Sequence, residues 1–147
     1  MKLVIQRVNR AKVTVVETSK IAGEIEKGLF VLVGIKKGDT PKQAEELANK
    51  LIKLRVMADE NEKMNLSVKD MGGKILAVSQ FTLYANTRDG NRPSFIDAEL
   101  PDKARGMYEH FVKTLKSLGV ETEIGSFGDY MKIDTELDGP VTIILEN

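Results

Sequence analysis

The chain has 147 residues, no cysteine and one histidine, and its 22 Lys+Arg balance 22 Asp+Glu to a formal net charge of zero. That length suits one domain with its own core, and the missing cysteines exclude disulfides, thiolate metal sites and a cysteine nucleophile. A Ser-His-Asp triad could use only His110, and the balanced charge argues against a long nucleic-acid footprint while leaving room for a compact contact to one RNA end. No apolar run reaches the roughly 18 residues of a membrane span. The opening Met1-Lys2-Leu3-Val4-Ile5-Gln6-Arg7 turns polar too soon for a signal-peptide core. The expectation is a cytoplasmic protein with a single domain over residues 1–147.

The first third reads as strands. Val13, Val15 and Ile21 sit among polar partners, and Ala22-Gly23-Glu24-Ile25-Glu26-Lys27-Gly28 carries turn glycines. Leu29-Phe30-Val31-Leu32-Val33-Gly34-Ile35 is a continuous apolar run, which suits a strand buried on both faces. Thr40-Pro41-Lys42-Gln43 then announces a helix: Thr40 caps, Pro41 takes the first helical position and Gln43 completes a capping box. Ala44, Leu47, Ala48, Leu51, Ile52 and Arg55 follow at helical spacing, with the helix fading near Met57.

Residues 59–65 are polar and loop-like, Met71-Gly72-Gly73-Lys74 is a turn, and residues 75–84 read as a strand. Residues 86–93 form an exposed loop. Pro101 opens a second helix with Ala104, Met107, Tyr108, Phe111, Val112 and Leu115 on one stripe, and Gly119 closes it. Residues 120–124, 130–137 and 141–145 read as three short strands. Two helices cannot cover both faces of so much sheet. The expected fold class is therefore α+β: a curled, antiparallel-rich, barrel-like sheet with two amphipathic helices packed outside.

Three places invite chemistry. His110 points more than a quarter turn away from the stripe around Phe111 and Leu115, so it reads as a solvated histidine. Alternation along residues 76–84 puts Val78, Gln80, Thr82 and Tyr84 on one face and Ala77, Ser79, Phe81 and Leu83 on the other. Gln80 and Thr82 then stand side by side, either facing a cavity or where the strand surfaces near its end. Leu137-Asp138-Gly139-Pro140-Val141-Thr142 carries a turn signal. It is either an ordinary hairpin turn or, with Pro140 cis, a pair of carbonyls turned to one side. No Walker loop, dinucleotide fingerprint or metal-ligand spacing occurs, so neither cofactor nor metal is expected. Gly34 to Gly38, with Lys36 and Lys37, is too generic for a phosphate loop.

Taken together, short stretches in order carry a family resemblance. They are Val4-Ile5-Gln6-Arg7-Val8, Leu54-Arg55, Lys63-Met64-Asn65-Leu66-Ser67, Val78-Ser79-Gln80-Phe81-Thr82-Leu83-Tyr84-Ala85, Arg92-Pro93-Ser94-Phe95, Gly125-Ser126-Phe127-Gly128-Asp129-Tyr130-Met131 and Asp138-Gly139-Pro140-Val141-Thr142. Over essentially its whole length the chain resembles the D-aminoacyl-tRNA deacylases of the bacterial and eukaryotic type, the D-tyrosyl-tRNA(Tyr) deacylase family. One departure is Leu137, where the family usually has Asn before Asp-Gly-Pro.

The resemblance implies hydrolysis of the ester joining a D-amino acid to the terminal adenosine of tRNA, by a homodimer that engages the 3′ acceptor end, with no DNA or membrane partner. It implies a pocket lined by Ser79, Gln80, Phe81 and Thr82 as the catalytic set, with Phe127, Gly128 and Met131 holding the adenosine. It implies that Gly139 and Pro140, joined by a cis bond, enter the partner's pocket to exclude L side chains, and that Arg7 braces them. Lys36, Lys37, Arg88 and Arg92 are candidate phosphate contacts. Other readings stay open: a related deacylase for L-alanyl-tRNA, a non-catalytic barrel that binds an RNA end, or a plain scaffold.

Overall fold

The computed structural model describes residues 1–147. In chain order its elements are β1 (Lys2–Val15), β2 (Ile21–Ile25), β3 (Gly28–Gly34), α1 (Pro41–Ile52), β4 (Met57–Ala58), β5 (Met64–Leu66), β6 (Lys74–Ser79), α2 (Pro101–Ser117), β7 (Thr122–Ile124) and β8 (Met131–Glu146). The long strand β1 organises the sheet. β8 runs antiparallel along it from Lys2–Glu146 to Val15–Met131, while β3 and then β2 pair with its other edge.

From β3 the sheet continues through β6 to β7, and both of these pairings are parallel. Each parallel pair is joined by a crossover that contains one helix, as a parallel connection requires. The sheet then curls until its ends meet. A β-carbon on Gly23 of β2 would fall 2.5 Å from the Ile124 carbonyl oxygen of β7, so only glycine lets these strands approach. The result is the nearly closed, barrel-like sheet expected from the strand-rich sequence.

Alternation along the central strands feeds two cores. Leu29, Val31, Val33, Ile75 and Ala77 face the helices, where Leu47, Leu51, Phe111 and Leu115 cover them. Phe30, Leu76 and Val78 point into the curl and meet Val8, Ala11, Val13 and Ile25. Strand β1 serves both cores: Leu3 and Ile5 join the first, and Val8 onward join the second. The change falls where its register against β8 shifts, between Gln6 and Arg10.

The first helix starts as its capping signal predicts. Gln43 Oε1 accepts from the Thr40 N–H at 2.9 Å and from the Thr40 hydroxyl at 3.0 Å. It ends at Ile52, short of Met57, and Arg55 instead donates to the Asn65 carbonyl at 2.7 Å. His110 does not stand alone in solvent: its Nε2 lies 2.9 Å from Glu45 Oε1 and links α2 to α1.

Four local expectations are corrected. Gly23 and Gly28 lie inside strands, not turns; a β-carbon on Gly28 would sit 2.0 Å from the Lys74 carbonyl oxygen, so their role is close approach. The polar stretch 59–65 contains the end of a small antiparallel ribbon, β4 with β5, tied by Asp59 to the N–H groups of Asn61 and Lys63. The strand read over residues 75–84 stops at Ser79, and Phe81–Tyr84 forms a 3-10 turn. Residues 131–146 form one strand rather than two joined by a hairpin, because both halves pair with β1. Between Gln6–Thr142 and Val8–Leu137, β1 has one intervening residue and β8 has four, so Asp138-Gly139-Pro140-Val141 bulges out opposite Arg7.

Candidate active site

The end of β6 builds the first wall. The Gln80 N–H donates to the Val33 carbonyl at 2.8 Å, and the chain then leaves the sheet. It turns under Gly34, where a β-carbon would meet Leu83 Cβ at 3.1 Å and the Tyr84 ring at 3.2 Å. Glycine at 34 therefore lets the turn seat against β3. Because the strand has ended, Gln80 and Thr82 are not strand neighbours on one face. They meet across the turn instead, with Gln80 Nε2 donating to Thr82 Oγ1 at 2.5 Å. Phe81 projects outward and packs edge-on against Phe95, with ring centroids 5.0 Å apart.

The segment between β7 and β8 builds the second wall. Gly128 has φ +87°, a left-handed conformation that favours glycine. The Ser126 N–H donates to Met131 Sδ at 3.2 Å, and the Ser126 hydroxyl donates to Asp129. These bonds fold residues 126–131 into a compact loop that carries Phe127 and Met131.

Between the walls lies a cavity of about 750 Å³, lined mainly by apolar groups. That size falls within the range of small-molecule sites. Ser79, Gln80, Phe81, Phe127, Gly128 and Met131 all line it. A third wall, Ile35 with Phe95, Ala98, Leu100, Pro101 and Ala104, has no counterpart among the site residues that the resemblance implies. Its one signal in the sequence is the set Phe95, Ile96, Ala98 and Leu100, interleaved with Asp97 and Glu99 just ahead of α2, of which Leu100 stays 62% exposed. Lys37 and Glu99 add opposite charges to this wall. The Leu100 N–H bonded to Glu99, with a further N–H from Gly38, holds that carboxyl below its ordinary range, so it is ionised at neutral pH.

Thr82 does not line the cavity itself; it borders it through Gln80. Nor do Arg7, Gly139 and Pro140 line it. They form a second constellation at the β8 bulge. Arg7 Nε lies 2.9 Å from Asp138 Oδ2 and donates to the Asp138 carbonyl at 3.3 Å, while Nη1 donates to the Val56 carbonyl at 2.9 Å. The bond between Gly139 and Pro140 is cis, and both residues are exposed. Gly139 has φ +128° and its β-carbon would fall 2.8 Å from Val141 N, so no other residue fits there without strain. Of the candidate phosphate contacts, Lys37 borders the cavity. Lys36, Arg88 and Arg92 are exposed, the two arginines on a loop closed by reciprocal 2.8 Å bonds between Asn86 and Ser94.

Comparison with known proteins gives one consistent family. Residues 4–146 match the family described as D-Tyr-tRNA(Tyr) deacylase. The chain is 54% identical over 146 residues to a D-aminoacyl-tRNA deacylase of Fusobacterium nucleatum, covering 99% of this chain and 95% of that protein. It is 50% identical over 147 residues to the D-aminoacyl-tRNA deacylase of Koribacter versatilis, covering 100% and 97%. Among solved structures, a c-Myc DNA Unwinding Element Binding Protein superposes with a TM-score of 0.93 at 41% identity, covering 100% of this chain and 99% of that one. A probable eukaryotic D-amino acid tRNA deacylase shares the fold, with a TM-score of 0.85 at 15% identity over 98% and 97% of the two chains. The chain belongs to the D-Tyr-tRNA(Tyr) deacylase family.

Proposed function

We propose that this protein hydrolyses D-aminoacyl-tRNA to free D-amino acid and tRNA. The observation that carries the reading is the cavity, which joins the Ser79–Gln80–Phe81 corner to the Phe127–Met131 loop in a member of this family. The Phe127 loop takes the terminal adenosine, and its apolar wall suits a base. The ester then lies over the 3-10 turn. Phe81 and Thr82 head that turn, and the leading N–H groups of a helical turn have no partner within it. Aimed at the ester carbonyl, they stabilise the oxyanion that forms when water attacks, a type of interaction worth several kcal/mol.

The terminal ribose 2′-hydroxyl assists the attacking water, and the 3′-oxygen leaves with a proton. The Thr82 hydroxyl is not the nucleophile on this account. It accepts a hydrogen bond from the Gln80 amide, which is not a base able to activate it.

Handedness is decided by exclusion. A second copy of the chain inserts its Gly139-Pro140 bulge into the cavity and sets the two carbonyls against the α-carbon. A hydrogen fits there, and an L side chain clashes. The supporting observations are the exposure of the bulge, its anchorage by Arg7, and exposed apolar neighbours on the same strand, Leu137 and Ile144. Glycyl-tRNA, with no side chain to reject, is a further substrate. Lys37 and the Arg88–Arg92 loop contact backbone phosphates of the acceptor end. A tRNA substrate is the reason for reading the protein as cytoplasmic. No helix is long and apolar enough to cross a membrane.

The other reading is binding without chemistry, to an RNA end or to a DNA element as the 41%-identical neighbour is named for. A zero net charge and a mainly apolar cavity favour the ester over a duplex. Incubation with D-tyrosyl-tRNA separates the two. Release of tyrosine by the wild type and by Thr82→Ala at comparable rates supports the enzyme and its main-chain donors. An ester left intact by the wild type refutes the enzyme, and loss of turnover in a folded, binding Thr82→Ala refutes the donor mechanism.

A further inference from the structure

Helix α2 touches both main walls of the cavity through two side chains to which nothing above gives a task. Tyr108 is 3% exposed, and its hydroxyl donates to the Ala77 carbonyl at 2.8 Å. The same oxygen accepts the Gly125 N–H at 2.9 Å. One main-chain atom therefore joins three pieces of chain. Ala77 lies two residues before Ser79, where the first wall begins, and Gly125 lies two residues before Phe127, the aromatic of the second. The Tyr108 ring also packs against the Phe127 ring, with centroids 5.9 Å apart.

Arg105 lies one turn earlier on the same helix. Its guanidinium stacks over the Phe127 ring at 4.6 Å and donates to the Phe127 carbonyl at 3.5 Å. Phe127 lines the cavity and Arg105 does not, so the guanidinium backs the ring from outside. Packing alone does not call for either polar group. A phenylalanine at 108 would fill the same space, and Arg105 is exposed without a carboxylate partner.

We infer that Tyr108 and Arg105 are positioning residues: together they hold the Phe127 wall in register with the Ser79–Phe81 turn, so that the adenosine end, once seated, presents its ester to the turn. This rests on the proposed deacylase reading. The two residues have separable effects. Tyr108 ties the walls to each other, so it acts on the geometry of the reacting complex. Arg105 stiffens the ring that receives the base, so it acts on binding.

The test is steady-state deacylation of D-tyrosyl-tRNA by Tyr108→Phe and Arg105→Gln, with thermal unfolding and binding of adenosine monophosphate measured alongside. In Tyr108→Phe the Ala77 oxygen keeps its bond from Gly125, so the fold survives, and kcat falls about tenfold through misplacement of the ester. In Arg105→Gln the KM and the Kd for adenosine monophosphate rise about two- to fivefold, the weight of an exposed cation–aromatic contact, with kcat unchanged. Wild-type kinetics and nucleotide binding in both variants overturn the inference. So does a Tyr108→Phe protein that loses only melting temperature, since that marks a merely structural tyrosine. Nucleotide binding needs no turnover, so the Arg105 arm stands or falls apart from the deacylase reading, which wild-type turnover checks.

Discussion

Arg7 joins the bulge to the rest of the molecule, and replacing it by alanine isolates what the bulge does. The Arg7 side chain is 11% exposed, and its guanidinium spans the Asp138 carboxylate, the Asp138 carbonyl and the Val56 carbonyl. Losing the Val56 contact leaves a buried acceptor unpaired, at about 1–3 kcal/mol. The pair with Asp138, whose side chain is 31% exposed, is partly screened and adds about 1 kcal/mol. Arg7→Ala should therefore lose about 3 kcal/mol of stability, roughly 6–12 °C in Tm for a chain of this size. It should remain folded, since native domains hold about 5–15 kcal/mol. The larger consequence is functional. With Asp138 released, Gly139 and Pro140 are no longer held in place, and the variant should begin to hydrolyse L-tyrosyl-tRNA while keeping measurable activity on the D ester. Thermal unfolding gives the first quantity, and deacylation of the two mirror-image esters gives the second. A variant that loses the predicted stability yet still leaves the L ester untouched would show that Arg7 supports the fold and not chiral selection.

Two further expectations concern the framework. Gly28→Ala places a β-carbon 2.0 Å from the Lys74 carbonyl oxygen, so β3 and β6 must part. The cost is at least the roughly 1–3 kcal/mol of overpacking, and urea denaturation at wild-type stability would contradict so close an approach. Asp59 is held below the ordinary carboxylate range, first by the Asn65 side-chain amide and then by the Lys63 N–H. Its folded pKa lies below the unfolded one. The ribbon it ties is thus fully supported above the ordinary carboxyl pKa of 3.8 and loses that support as pH falls through the lowered value. A carboxyl-carbon NMR titration should place its midpoint below that of a model aspartate; a midpoint at or above the model value would contradict the bonding.

Local signals were legible where one short motif suffices. Thr40-Pro41-Gln43 marked α1, Pro101 and Gly119 bracketed α2, and the apolar run at 29–35 announced a strand buried on both faces. Misreadings arose where tertiary pairing overrode local pattern. Phe81, Thr82 and Tyr84 are of strand-forming types, so alternation alone extends β6 through residues 81–84. What ends the strand is Gln80 bonding to Val33 and the space left by Gly34, neither of which is local. Asp138-Gly139-Pro140 has the composition of a hairpin turn, but β1 pairs with the chain on both sides of it and turns it into a bulge. The third wall of the cavity combines Ile35 with residues 95–104, distant in sequence, and no periodicity links them. The resemblance motifs named residues of both constellations and already set the Arg7-braced bulge apart from the pocket, but they missed the third wall and placed Thr82 in a cavity it only borders.

The measurement that bears most directly on the account is the rate at which the wild-type protein deacylates matched D- and L-tyrosyl-tRNA under identical conditions. The account predicts rapid release of D-tyrosine and no L-tyrosine above the spontaneous background. Comparable release of both would contradict exclusion by the Gly139 and Pro140 carbonyls.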